Sequence, residues 1–132
     1  MAQEMTFDGS IVASTTNFRE AIQPGQILID LTDTTMESGV KNIDDTAAGV
    51  TFATGDNATD GGVFFFRNLS ASHTLEIGIK PASTFLGFLR LKPGEYAIGR
   101  LGSSYPATTD LYAKCMDGGQ TADLQYKIFD GT

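Results

Sequence analysis

The sequence is poor in the residues that catalytic and redox sites use most often. It contains one cysteine, one histidine and no tryptophan in 132 residues. A single cysteine excludes an intrachain disulfide, and Cys115 alternates in phase with Leu111 and Ala113, which predicts a small buried side chain. A catalytic thiolate needs an electropositive setting and a basic partner, yet His73 lies far away in a predicted turn. We therefore expect no enzyme and no cofactor.

Positive charge and long apolar runs are scarce as well. Nine Lys and Arg residues stand against sixteen Asp and Glu residues, and the formal net charge is −7. The basic residues are scattered, which disfavours nucleic acid as a partner, because phosphate contacts require a basic surface. No apolar run approaches the roughly 20 residues of a membrane helix, and the start Met1–Glu4 lacks signal-peptide character. We expect synthesis in the cytoplasm and no membrane partner.

The acidic loops offer little to a metal ion. The segment Asp56–Gly61 is superficially like a calcium loop, but Ala58 and Arg67 stand where that loop needs an oxygen ligand and a glutamate. An irregular oxygen-rich site remains an open alternative, with the candidate ligands Asp44, Asp45, Asp56 and Asp60. Acidic turns of this kind are usually solvated turns, so the sequence predicts no metal site.

What the chain has in abundance is typical of a β-rich fold. Fifteen glycines and nine phenylalanines accompany short apolar runs that are broken by turn residues, and no helical period is sustained. About eight strands at short spacing predict an all-β, antiparallel β-sandwich or jelly roll with long polar loops. The length predicts one domain over residues 1–132, with residues 1–25 as a candidate N-terminal arm.

The densest group of strands lies between Gly62 and Leu101. The short polar link Leu69–His73 predicts a hairpin between Val63–Asn68 and Thr74–Lys80. We favour the register that pairs Arg67 with Glu76 over one that is a residue tighter, because opposite charges then face each other. The predicted core comprises Phe64, Phe66, Leu75, Ile77, Ile79, Leu89, Ile98, Leu124, Tyr126 and Ile128.

The rest of the chain is predicted from turn signals and alternation. We expect a broken strand over Met5–Thr15, a helical turn over Asn17–Gln23 that Pro24-Gly25 ends, and a strand over Gln26–Leu31. Thr32–Gly62 reads as a long loop that contains one or two short strands. Further along come a tight turn at Lys92–Glu95, a strand over Tyr96–Leu101, and a closing hairpin of Leu111–Asp117 with Ala122–Asp130.

The second half of the chain carries a recognisable succession of motifs. These are Phe64–Leu69 (FFFRNL), Glu76–Gly78 (EIG), Leu91–Glu95 (LKPGE), Asp110–Lys114 (DLYAK) and Ala122–Phe129 (ADLQYKIF). The succession resembles small virion proteins of tailed bacteriophages, especially β-sandwich cement or decoration proteins of capsids and related head-fibre modules. The resemblance implies a structural protein on the virion surface that binds the major capsid protein as a homo-oligomer, with a trimer favoured.

Apolar residues outside the predicted core are the candidate contacts of such an assembly. The loop-rich first half and the second face of the aromatic strand both carry side chains that need a covering surface. The candidate interface residues are Phe7, Ile11, Val12, Phe18, Met36, Val40, Phe52, Val63 and Phe65. Their cover could come from the chain's own domain or from a neighbour, and we expect the amino-terminal segment and the Thr32–Gly62 loops to attach to the shell.

Two other classes of function remain open. One is a carbohydrate-binding or receptor-binding β-sandwich module, on a phage fibre or baseplate or elsewhere, against which tryptophan is absent and the tyrosines follow no recognisable spacing. The other is a glycosidase with paired carboxylates. Sixteen acidic residues always offer pairs, but none is set among apolar strand neighbours that would raise its pKa.

Overall fold

The chain folds almost entirely into antiparallel strands. The computed structural model describes residues 3–14, 16, 19–31, 36–53, 62–101 and 110–129. The strands are β1 (Gln3–Ser14), β2 (Arg19–Leu31), β3 (Met36–Ile43), β4 (Val50–Ala53), β5 (Val63–Asn68), β6 (Leu75–Ile79), β7 (Leu86–Leu91), β8 (Tyr96–Arg100), β9 (Leu111–Cys115) and β10 (Ala122–Phe129), with one 3₁₀ turn at Pro81–Ser83. The all-β expectation is confirmed.

Eight of these strands form a sandwich. Sheet I has the order β3-β10-β5-β8, and sheet II has the order β4-β9-β6-β7. Strands β1 and β2 pair only with each other and form a separate ribbon, which we call the hairpin arm. Between β3 and β10 the chain alternates between the two sheets at every connection except that of β6 with β7.

The core lies between the two sheets, because each sheet turns one face inward at alternate positions. On β5 these positions hold Phe64 and Phe66, and on β6 they hold Leu75 and Ile77. The Phe66 ring is fully buried and meets the Phe52 ring edge to face, with 5.6 Å between centroids. The buried cluster comprises Ile43, Phe52, Ala53, Phe66, Leu75, Ile77, Leu91, Leu111, Ala113, Cys115, Ala122, Leu124 and Ile128.

The predicted core is largely correct. Five of its residues are fully buried, namely Phe66, Leu75, Ile77, Leu124 and Ile128. Four more pack against the cluster while partly exposed, namely Phe64, Ile79, Leu89 and Tyr126. Ile98 is the exception, because it lies opposite Phe65 on the outer face of sheet I and is 37% exposed. The lone cysteine is buried, as its alternation predicted.

The expected hairpin of β5 with β6 is wrong. These strands belong to different sheets, so the link between them crosses from one layer to the other. In sheet I, Arg67 lies opposite Tyr96 and Gln125. In sheet II, Glu76 lies opposite Arg90 and accepts a hydrogen bond from its guanidinium at 3.1 Å. Glu76 therefore does face an opposite charge, but its partner is Arg90 in sheet II and not Arg67.

The closing hairpin is wrong for the same reason. Strand β9 is in sheet II and β10 is in sheet I, so the connection after Cys115 also crosses between layers. The turn at Lys92–Glu95 is confirmed: Gly94 has a φ of +77°, and the Glu95 amide donates to the Lys92 carbonyl at 3.0 Å. This turn too joins strands of different sheets, β7 and β8. A short polar link therefore marks a change of layer here as readily as a hairpin.

The amino-terminal segment contains more strand than the sequence indicated. The part of the expected helical turn that the structure describes, Arg19–Gln23, belongs to β2, and this strand continues past Pro24-Gly25 to Leu31. A register shift places Gln23 and Pro24 opposite Ser10 alone. Proline is tolerated at such a bulge because no ladder hydrogen bond is required of its nitrogen. The long polar region likewise contains two strands, β3 and β4.

A buried asparagine fixes the link that follows β5. The Asn68 amide donates to the carbonyls of His73 at 2.7 Å and Leu91 at 3.0 Å, and its side-chain oxygen accepts from the Ser70 amide at 2.9 Å. Asn68 is the buried polar residue among those that the structure describes, and its side chain ties the crossing loop to the end of β7. Hydrogen bonds of the Asn68 side chain thus stabilise the layer change.

Truncating the central ring should weaken the sandwich. We expect Phe66→Ala to lower the free energy of unfolding by about 3–5 kcal/mol, because the change leaves a cavity between the sheets. Urea unfolding followed by circular dichroism measures this loss. Phe88→Ala, at a half-exposed position of edge strand β7, is the matched control and should change stability by only about 0.5 kcal/mol. Equal losses in the two variants would contradict the assignment of Phe66 to the core.

Replacing the buried amide by a carboxyl should be costly and pH-dependent. In Asn68→Asp the two carbonyls lose their donors at neutral pH, and we expect a loss of about 1–3 kcal/mol for each unsatisfied group. Burial raises the pKa of a carboxyl, so part of the stability lost at neutral pH should be regained as the pH falls, because the protonated group has one O–H that can donate to one of the two carbonyls. The measurement is the difference in unfolding free energy from the unaltered chain between pH 7 and pH 4. Gln120→Glu, an exposed change of the same charge, should show neither effect.

Candidate assembly interface

The hairpin arm has one face that is mostly apolar. The register places Phe7, Ile11 and Ala13 of β1 on that face, with Ile22 opposite Ile11 and Glu20 opposite Ala13. The arm is therefore amphipathic in the way of a strand pair that packs against another surface.

The outer part of the arm is exposed on both of its faces. Ile11 is 61% exposed and Val12 is 64% exposed. Because neighbouring strand residues point to opposite faces, each face of the arm carries an exposed apolar side chain here. Ile22 is 46% exposed. At about 3.3 Å per residue, the segment Gly9–Ser14 extends roughly 20 Å. An isolated two-stranded ribbon is marginally stable in water, so this part of the arm is a candidate for contact with another chain.

The inner part of the arm meets the outer face of sheet I. Here a groove of about 420 Å³ is lined by Phe7 from the arm and by Phe65, Ile98, Lys127 and Phe129 from the sheet, among others. Beside it the Phe65 and Tyr96 rings lie 5.9 Å apart between centroids. The groove is thus an apolar depression that continues into the exposed side chains of β8.

The outer face of sheet I is basic although the chain is acidic. By register, this face carries Arg67, Arg100 and Lys127 with a single acidic residue, Asp123. The Asp123 carboxylate accepts a hydrogen bond from the Asn42 amide at 2.9 Å. The hairpin arm shows the opposite balance, since four acidic residues and one basic residue fall between Gln3 and Leu31.

The structure separates the candidate interface residues into groups. Ile11, Val12, Met36 and Val40 are exposed, the last two on the outer face of edge strand β3. Phe7 and Phe65 are half-buried at the groove. Phe52 is 6% exposed and packs in the core, and Val63 is 2% exposed at the groove. The chain itself covers these last two, which corrects their place among the candidate contacts; Phe18 lies outside the described residues.

Several exposed apolar residues were missed in the sequence analysis. Ile22 was assigned to a helical turn and Ile98 to the core, whereas both are on surfaces. Tyr96 begins β8 and is exposed opposite Arg67. Ile22 could have been predicted from its pairing with Ile11 across the two strands. That pairing can be deduced only if Pro24 is allowed inside a strand. On sheet II, edge strand β7 exposes Leu86 and Phe88.

The lone histidine takes part in a structural contact. Its Nδ1 lies 3.2 Å from a carboxylate oxygen of Asp117, and that oxygen also accepts the Thr74 amide at 3.1 Å. The Ser70 hydroxyl oxygen accepts the His73 backbone amide at 2.9 Å, so this hydroxyl is held by the backbone of the loop rather than by the imidazole. The Asp117 carboxylate thus joins the loop after β9 to the loop after β5, while Ser70 stabilises the latter loop from within.

Two of the four candidate metal ligands, Asp44 and Asp45, lie in the described residues, and both accept hydrogen bonds from the backbone. Hydrogen bonds from the Thr46 hydroxyl and amide hold the pKa of the Asp44 carboxyl below its usual value. An Asp45 oxygen accepts the Gly119 amide at 2.8 Å. Asp56 and Asp60 lie outside the described residues. Over the described ranges, no three His, Cys, Asp or Glu side chains come together as a metal site.

Comparison with known proteins gives no relative for this chain. Neither a protein-family model, nor a curated protein, nor a solved structure matches it. Within the part of the chain that the structure describes, no helix is long and apolar enough to cross a membrane. The candidate interface therefore rests on the geometry of the arm and of sheet I.

Removal of divalent cations should leave the fold unchanged. Asp44 and Asp45 already accept hydrogen bonds from the backbone, so no cation is needed to neutralise an unsatisfied pair. We expect the same melting temperature with 5 mM EDTA as with 5 mM CaCl₂, within about 1 °C, since a bound ligand stabilises the native state by mass action. A calcium-dependent rise of several degrees would assign a metal to this loop.

Proposed function

We propose that the chain is a structural protein of a tailed-bacteriophage virion. It serves as a capsid cement or decoration protein that binds the major capsid protein shell as a symmetric homo-oligomer, for which a trimer is favoured. The proposal gives the chain no catalytic activity, cofactor or metal. The observation that carries it is the hairpin arm, which exposes Ile11 and Val12 on its two opposite faces and so lacks cover from its own sandwich.

The strand order supports the same conclusion. Strands β3 to β10 form two sheets, of order β3-β10-β5-β8 and β4-β9-β6-β7. We expect this arrangement of an eight-stranded jelly roll. Viral capsid proteins and lectins both use that architecture. The motif succession from Phe64 to Phe129 adds its resemblance to cement and decoration proteins.

The physical logic of a cement protein is multivalency. Each copy contacts more than one neighbouring chain, so weak individual contacts add up to firm attachment. The sandwich supplies a stable body, and the hairpin arm and the segment between Leu31 and Gly62 supply the contacts. Such attachment needs exposed apolar residues on an otherwise polar chain, and Ile11, Val12 and Ile22 provide them.

The native assembly tests this proposal. A lysate that contains the chain in its natural setting is fractionated by gradient sedimentation. We expect an antibody to the chain to detect it in the fraction that holds particles of virion size. Electron microscopy of that fraction should show the antibody on icosahedral heads at high copy number. Tail or fibre labelling would favour a receptor-binding module instead. Recovery only as a free small oligomer would contradict a virion role altogether.

A further inference from the structure

We infer that the hairpin arm of one copy docks on the outer face of sheet I of a second copy. This inference rests on the proposed function and deepens it, because it names the partner of the arm. The acceptor is the groove between the arm's inner part and sheet I, together with the exposed Tyr96 and Ile98 beside it. The occupant is the apolar arm face, with Ile11 and Ile22 at its centre.

Both halves of the contact are present on this one chain. The arm offers aliphatic side chains that nothing in their own sandwich covers, and sheet I offers a depression lined by Phe65, Ile98 and Phe129. Burial of such apolar surface drives association at about 25 cal/mol per Å². A chain that carries an unpaired apolar arm and an apolar groove is complementary to a second copy of itself.

Charge favours the same pairing. Glu20 lies on the apolar arm face opposite Ala13, and its side chain is exposed. The acceptor face carries Arg67 and Lys127 in exposed positions, and the structure gives neither of them an ion pair among the described residues. Complementary potentials steer the approach of the two surfaces and set their register. Two arms would repel each other, which disfavours contact of arm with arm.

The symmetry of the contact follows from its geometry. Arm and groove are different surfaces, so each copy both gives an arm and receives one, and we infer head-to-tail contacts rather than a reciprocal two-fold exchange because they fit the favoured trimer. Such contacts close into a ring when the rotation between copies allows it. A small ring agrees with the homo-oligomer of the proposed function.

The decisive experiment is complementation between two defective copies. Ile11→Asp disables the arm, and Ile98→Asp disables the acceptor face. Each variant alone should be monomeric by native mass spectrometry at concentrations where the unaltered chain is oligomeric, with affinity reduced about tenfold or more. An equimolar mixture should form a one-to-one heterodimer, because the intact arm of the second variant fits the intact face of the first.

Control variants test whether the loss of association is specific to the arm and the acceptor face. Leu86→Asp alters an equally exposed aliphatic residue on sheet II and should leave the oligomer intact. Lys127→Glu changes only an exposed charge on the acceptor face, so it replaces Ile98→Asp if that variant fails to fold by circular dichroism. Association should weaken between 0.05 and 0.5 M NaCl, because salt screens the arm from the basic face.

Several outcomes would overturn the inference. These are a purified full chain that stays monomeric at every concentration, an oligomer that survives Ile11→Asp, and variants that fail to form a heterodimer when mixed. A chain that is monomeric in solution and loses shell binding on Ile11→Asp would assign the arm to the shell protein; the virion role would then stand without this inference and without the homo-oligomer. Oligomers that form as described by a chain absent from virions would leave the inference standing and remove the function.

Discussion

The sandwich depends on an aromatic contact between its two sheets. Phe52 from sheet II meets Phe66 and Tyr126 from sheet I, with ring centroids 5.6 and 5.3 Å apart. Phe64 stacks on Phe66 at 4.5 Å and extends the cluster along β5. Aromatic pairs contribute about 0.5–1.5 kcal/mol beyond the burial of their area. Because this cluster joins β4, β5 and β10 across the layers, the two sheets can be linked by short connections without a disulfide.

The sequence predicted the strands well and their partners badly. Alternation located β5, β6, β9 and β10, because alternation is a local consequence of having one buried face. Pairing is not local. The links after Asn68 and after Cys115 are short enough for hairpins, yet both cross between sheets. What decides the first crossing is the Asn68 side chain, whose hydrogen bonds reach Leu91, a residue that is distant in sequence.

This finding also bears on the motif succession. Asn68 belongs to the first of these motifs, Phe64–Leu69, and the structure gives it a role in the fold itself, at the layer change after β5. Lys92–Glu95 is similar, since Gly94 supplies the positive φ of a turn between layers. Motifs of this kind identify an architecture more directly than a function, whereas the exposed arm bears directly on what the chain binds.

The candidate interface residues could be predicted only in part, because burial depends on contacts that are distant in sequence. Ile11, Val12, Met36 and Val40 were predicted as contacts because apolar residues in polar surroundings need cover; the structure leaves them exposed, and their contact with another chain stays a prediction. Phe52 satisfied the same rule but is covered in the core. A sequence shows that a residue needs cover without showing which surface provides it. The basic outer face of sheet I was hidden as well, because Arg67, Arg100 and Lys127 are far apart in sequence and meet only through the register.

The distribution of surface features separates folding from assembly. The buried cluster uses residues from Ile43 to Ile128, all within the eight strands of the sandwich. None of them comes from the arm side chains that the structure describes, among which Ile11, Val12 and Ile22 are exposed. Changes in the arm can therefore alter what the chain binds while the sandwich remains folded. In a chain of net charge −7, three basic residues share the outer face of sheet I, whereas the arm carries four acidic residues, of which Glu20 lies on its apolar face.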